Sequence, residues 1–200
     1  MAEPNMFRSS VECEVMWAPW EGPGLEHLRL VTSDGDAVVA NGLVIGLEAG
    51  RPFRIGYEIR CDELWRVREV RAAAPDSERP VLELLADGEG HWKRRGGEPM
   101  PDLDGCIDVD ISATPFTNTL PIRRLGFEPG QSEELKVAYI RVPELLIGPE
   151  RQRYGCLEAR VDGGLYRFEA LPSGFTAELP VDADGLVLDY PGLFRRAWSG

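Results

Sequence analysis

A chain of 200 residues, 43% of them hydrophobic, can bury a substantial core, and an all-β domain of this size is commonly single. The net charge of −12, with a pI near 4.7, lacks the basic stripe that nucleic-acid binding needs and opposes docking on anionic lipid. No run of about 18 apolar residues occurs, so no transmembrane segment is expected.

The N-terminus, Met-Ala-Glu-Pro-Asn-Met-Phe-Arg, has no basic region followed by an apolar one, so no export signal is read and a cytoplasmic location is expected. Cys13, Cys61, Cys106 and Cys156 are far apart, and His27 and His91 are the only histidines. Neither a metal site nor a cofactor is expected, and the cysteines read as small, reduced, apolar residues. The expected organisation is a single domain over 1–200, with a core at about 11–196 and loose ends at 1–8 and 198–200.

Strand patterns dominate from the start. Val11, Cys13, Val15 and Trp17 alternate with Glu12 and Glu14. The stretch 38–47 is apolar on both faces and is broken by Asn41-Gly42, which reads as two short strands or one strand with a bulge. Phe53, Ile55, Tyr57 and Ile59 alternate with Arg54, Gly56, Glu58 and Arg60. Residues 72–80 and 95–104 read as loops. Further alternating runs are Leu135-Val137-Tyr139, Tyr166-Phe168-Ala170 and Phe175-Ala177-Leu179-Val181. Asp-Gly pairs at 34–35, 87–88, 104–105, 162–163 and 184–185 tolerate the positive φ of tight turns, and several lie between strand-like runs.

Helical signals are few. Thr119 to Leu125 reads as a turn or two with Thr119 as N-cap and Pro121 in the first turn, and Pro191 to Trp198 as a short C-terminal helix. The fold expected is all-β: one strongly curved antiparallel sheet forming a half-barrel or barrel, with one or two short helices. Its apolar concavity must be filled by side chains, a plug or a ligand.

The densest chemistry lies at 105–125. Ile107, Val109 and Ile111 point one way along a strand, while Cys106, Asp108, Asp110 and Ser112 point the other. Asp108 and Asp110, with His91 of Gly-Glu-Gly-His-Trp, are the candidate catalytic residues of a hydrolase or lyase. They read equally as solvated or arginine-paired aspartates, with Arg123 and Arg124 as the guanidinium partners. Thr117, Asn118 and Thr119 suit hydrogen bonding to sugars or plain turn capping, and Trp92, Arg123 and Arg124 complete the candidate ligand contacts. Trp17 and Tyr57 sit at apolar-face positions and read as core. No Gly-x-Ser-x-Gly, His-Glu-x-x-His, Walker or dinucleotide motif is present.

Several blocks together resemble a bacterial family. They are Trp17 with Gly24-Leu25-Glu26; Tyr57 to Asp62 with Trp65 to Arg68; Asp87 to Trp92; Gly105 to Asp110 running into Thr114 to Leu125; Gln152 with Tyr154; and Asp184 to Val187 with Asp189 to Pro191. The family is the one known as Putative glycolipid-binding, formerly of unknown function, and the likeness spans about residues 11–196. It implies a curved antiparallel half-barrel like that of the lipoprotein carriers. A lipid or glycolipid would then lie in the concavity, with the 108–124 segment near its mouth. It implies no catalytic residues. The alternatives left open are the hydrolase or lyase above and a structural or partner-binding protein; the oligomeric state is not read.

Overall fold

The structure, a computed structural model, describes residues 11–32, 38–74 and 81–200. Fourteen strands follow in order: β1 Val11–Pro19, β2 Leu25–Thr32, β3 Val38–Glu48, β4 Arg51–Cys61, β5 Val67–Ala73, β6 Leu82–Ala86, β7 Trp92–Arg94, β8 Asp108–Ile111, β9 Ser132–Arg141, β10 Leu146–Arg160, β11 Gly163–Ala170, β12 Phe175–Asp182, β13 Asp189–Tyr190 and β14 Phe194–Ser199. One α-helix, α1 Thr119–Leu125, lies between β8 and β9. Among the described residues no helix is long and apolar enough to cross a membrane.

The chain is all-β, but it builds two sheets where one was expected. The first runs β13-β14-β1-β2-β3-β4-β5-β6-β7 and the second β12-β11-β10-β9-β8, and both are open at their edges. All pairings are antiparallel except β8 with β9, which is parallel. The meander breaks after β7, and β8, joined to β9 through the helical segment, pairs with it in parallel. The sheets meet at one seam, where Val181 bridges Val187 and the Leu188 N–H donates to the Pro180 carbonyl at 2.8 Å.

Cross-strand register explains the core. Trp17 lies opposite Glu26, Glu26 opposite Val44 and Val44 opposite Ile55, so these four side chains share the inner face. That face packs with Val109, Ile111, Ala138 and Ile140 of the second sheet in one apolar cluster. A second cluster gathers Leu135, Val137, Tyr154, Tyr166, Phe168 and Leu179 with Ile122 of α1.

The stretch 38–47 is neither two strands nor a bulge. Asn41-Gly42 sits mid-strand in β3, in register with Glu58 and Tyr57. Gly42 is there for space: a Cβ would fall 2.1 Å from the Tyr57 ring, which lies flat across β3. Gly46 seats the Phe53 ring in the same way, at 3.0 Å. Asp-Gly at 87–88, 104–105, 162–163 and 184–185 does lie in turns or at a strand entry; the pair at 34–35, like residues 1–8 and 75–80, falls outside the described residues.

The C-terminal helix expected at 191–198 is strand β14, paired with β1 through Met16–Trp198 and Val15–Ser199, and Gly200 exchanges backbone hydrogen bonds with Glu14. An open edge on β1 outweighed the weak local helical pattern.

Candidate ligand-binding site

The polar segment expected beside a mouth is interior. Residues 113–123 are all buried, without interruption. Phe116 and Leu120 pack into the first cluster and Ile122 into the second, so the segment fills the space between the two inner faces. Phe116 stacks on Tyr57 with centroids 6.5 Å apart and planes 14° from parallel. A 3₁₀ turn at Phe116–Asn118 leads into α1, so Asn118 rather than Thr119 takes the cap position and makes no side-chain cap bond. The Thr119 N–H already reaches the Phe116 and Thr117 carbonyls, and Gly126, left-handed at φ 54°, ends the helix.

This burial commits the sequence-predicted site residues. Asp108 is 1% exposed and accepts a bidentate pair of bonds from Arg124, from Nε at 3.1 Å and Nη2 at 2.6 Å. Burial raises the Asp108 carboxyl pKa, and Arg124 opposes the shift. Among the described residues no cation is in hydrogen-bond contact with Asp110. It accepts from the Thr117 hydroxyl at 2.8 Å and from the Gln152 amide at 2.6 Å, and burial again raises its pKa. Asn118 accepts from the Tyr154 hydroxyl at 2.9 Å. Thr119 is fully buried in α1.

Arg123 turns away from both aspartates. It donates to the Asp184 carbonyl at 3.0 Å, and its guanidinium lies 4.5 Å from the centroid of the Trp65 ring. Trp92 is core, its indole N–H donating to the Cys106 carbonyl at 2.7 Å. His91 lies on an exposed turn, held 2.7 Å from Asp87, and shares no hydrogen bond with Asp108 or Asp110. The acid–base group imagined from the sequence is thus not assembled. Trp17 and Tyr57 are buried, as their apolar-face positions required.

What the structure assembles instead was missed. A cavity of about 320 Å³ opens between the ends of β1–β4, the start of β14 and the residues after β8 and β9. Its apolar walls are Trp17, Val44, Phe53, Val142, Leu193 and Phe194. It adjoins a broader open groove of about 960 Å³, with which it shares Pro23, Ile45, Gly46, Leu47, Glu48 and Phe53. The deepest polar group in its lining is Glu26, 2% exposed.

Glu26 Oε1 accepts from the Tyr57 hydroxyl at 2.5 Å. The Tyr57 oxygen in turn lies 3.3 Å from the Thr114 hydroxyl, which also accepts the Phe116 N–H at 3.0 Å. Tyr57 spends its one proton on Glu26, so Thr114 is the donor in that contact. Glu26 Oε2 has no hydrogen-bond partner among the described residues. Burial pushes the Glu26 carboxyl up from 4.5 to about 7, against the pull of the Tyr57 hydrogen bond. The Tyr57 hydroxyl is held well above its ordinary value by burial and by Glu26. A signal for Glu26 existed: in Leu25–Thr32 it falls in step with Leu28 and Leu30, which puts a carboxylate on the apolar face.

Such a group ties stability to pH. The folded protein holds the Glu26 proton more tightly than the unfolded chain, so this residue's contribution is intact below pH 4.5. It is lost as pH rises toward about 7, a total of roughly 3 kcal/mol. Glu26→Gln should remove that slope. In urea titrations across pH 4 to 8, the variant gains on the parent as pH rises and then levels off; a pH-independent difference would refute the assignment.

No curated protein matches the chain. A DUF1089 family protein from Pseudomonas aeruginosa is 41% identical and superposes with a TM-score of 0.73, over 88% of this chain and 95% of that one. A β-barrel-like protein of the domain of unknown function DUF1849, from Brucella abortus, superposes with a TM-score of 0.51 at 7% identity, over 94% and 97% of the two chains, a likeness of fold alone. The profile of the family described as Putative glycolipid-binding matches residues 14–196, nearly the whole chain, and with the close structural relative this establishes that the protein belongs to that family.

Proposed function

We propose that this protein binds a lipid or glycolipid, with the apolar body of the ligand against Trp17, Val44, Phe53, Val142 and Phe194. The observation that carries this reading is the cavity itself: concave, apolar-walled, and joined to an open groove where a larger polar portion can lie. Its 320 Å³ falls at the small end of ligand pockets, which run from about 300 to 1,000 Å³, so it suits one acyl segment and not a whole lipid. The two sheets act in this reading as the walls of a half-barrel whose interior the chain fills with its own segment 113–123. The ligand is thereby moved to the rim. Asp108, Asp110, Arg124, Thr117, Asn118 and Thr119 then support the plug and do not touch the ligand.

The test is native mass spectrometry of gently purified protein, followed by titration with monomeric n-octyl glucoside read by calorimetry. Saturable binding is expected, weakened about tenfold or more by Val44→Phe, which fills the cavity, and unchanged by Leu146→Ser on an exposed strand end. Bare polypeptide together with no saturable change would overturn the reading.

A further inference from the structure

We infer that the cavity selects a ligand carrying a protonated amine on an apolar body, with the ammonium seated on Glu26 Oε2. The inference rests on the ligand-binding reading above and adds the chemical class of the head group. Two independent observations carry it. The first is the orphaned acceptor: Oε2 is buried, without a partner among the described residues, and belongs to a residue that lines the cavity. A buried acceptor left unpaired costs more than its hydrogen bond would gain, so a ligand that donates to it recovers that cost on binding.

The second is the sign of the lining. Glu21, Glu26 and Glu48 line the cavity, and among the described residues none of its lining side chains is Lys, Arg or His. Glu21 and Glu48 are exposed at the rim. An anionic head group such as a free fatty acid would meet three carboxylates within the cavity itself, and the cations of the adjoining groove, Arg51 and Arg54, lie outside that lining. A cation meets a favourable potential at the rim and a charge-assisted partner at the base. Behind the wall Arg196 lies over the Trp17 ring at 5.6 Å and is paired with Asp182, a partner of its own. Tyr57, the one titratable group hydrogen-bonded to Glu26, remains a donor to Oε1 and leaves Oε2 to the ligand.

The walls fit the same class. Trp17 and Phe53 present aromatic surface beside the carboxylate, a surround that favours an ammonium and its first methylenes over a strongly hydrated head group. A neutral hydroxyl can also donate to Oε2, but without the charge.

The experiment compares octylamine, octanol and octanoate by calorimetry at pH 8, where Glu26 is ionised, on the parent and on Glu26→Gln. Octylamine should bind about ten- to a hundredfold tighter than octanol, with octanoate weakest, and Glu26→Gln should bring octylamine down to octanol without weakening octanol. Lowering the pH to 6 should weaken octylamine on the parent alone, since Glu26 then holds a proton. Octylamine and octanol binding the parent equally would overturn this inference and leave the ligand-binding reading standing. No binding by any of the three would overturn both. Equal loss of octanol in Glu26→Gln would mean a distorted pocket, and Tyr57→Phe, which keeps the charge and the ring, must then preserve the amine preference or the inference fails.

Discussion

Replacing Arg124 with Leu is expected to lower the unfolding free energy by about 3–5 kcal/mol, measured by urea denaturation at pH 7. The side chains of the Asp108–Arg124 pair are 1% and 13% exposed, and the guanidinium meets both carboxylate oxygens. Removing Arg124 strands a carboxylate at 1% exposure with no other cation in contact among the described residues, which is the costly way to break a buried pair. Removing both charges is the cheap way: Asp108→Val with Arg124→Leu should recover most of the loss, because well-packed apolar replacements of buried pairs are often neutral. The single variant should also be rescued by acid. With Arg124 gone, the folded-state pKa of Asp108 rises further above its unfolded value, so the stability deficit shrinks as the carboxyl takes up a proton at low pH and grows as pH rises. A single variant within about 1 kcal/mol of the parent would mean that the pair is solvated and that the segment after β8 is not part of the cooperative core.

The strands were legible where one face is buried and the other wet. β1, β4, β9, β11 and β12 each carry the period-two signature, because a half-buried strand in an antiparallel sheet must alternate. β10 carries the signature only over Gln152, Tyr154 and Cys156, and weakly, because one of the three is polar. It runs fifteen residues through Gly148, Pro149 and a charged stretch, and its identity as a strand comes from β9 and β11 on either side. The C-terminal strand failed to show for a related reason: β14 is largely exposed, so its residues record the partner they pair with only weakly. The candidate site was harder. Residues 114–124 look like a surface loop because they are rich in Thr, Asn, Pro and Arg. Their burial is helped by partners distant in sequence, such as Asp108 for Arg124 and Tyr154 for Asn118, beside local bonds such as that from the Phe116 N–H to the Thr114 hydroxyl. No local pattern encodes those partners. Glu26 is the opposite case, a single carboxylate whose parity with Leu28 and Leu30 betrays its burial, while nothing nearby announces a cavity beside it.

The plug's own weight is tested at Phe116. This ring is fully buried, stacks on Tyr57, and follows directly on Thr114-Pro115, the residues that fix the Tyr57 end of the Glu26 network. Phe116→Ala should cost about 3–5 kcal/mol in urea denaturation, from lost burial and from the cavity left between two sheets that cannot both collapse onto it. Val161→Ala, on a hairpin tip that is 89% exposed, should change stability by less than about 0.5 kcal/mol. The same variant separates two ways of holding a ligand. If lipid replaced the segment 113–123 inside the sheets, the plug would have to leave first, and loosening it would raise the competent fraction and tighten apparent binding in proportion. If ligand enters at the rim beside Trp17 and Glu26 with the plug in place, Phe116→Ala has no plug to release and octyl glucoside affinity should stay level or fall. A destabilised variant that bound more tightly would move the ligand into the sheets. An equally destabilised variant that did not would leave the plug as what it looks like from its hydrogen bonds: the part of the fold that closes the interior and turns the rim into the site.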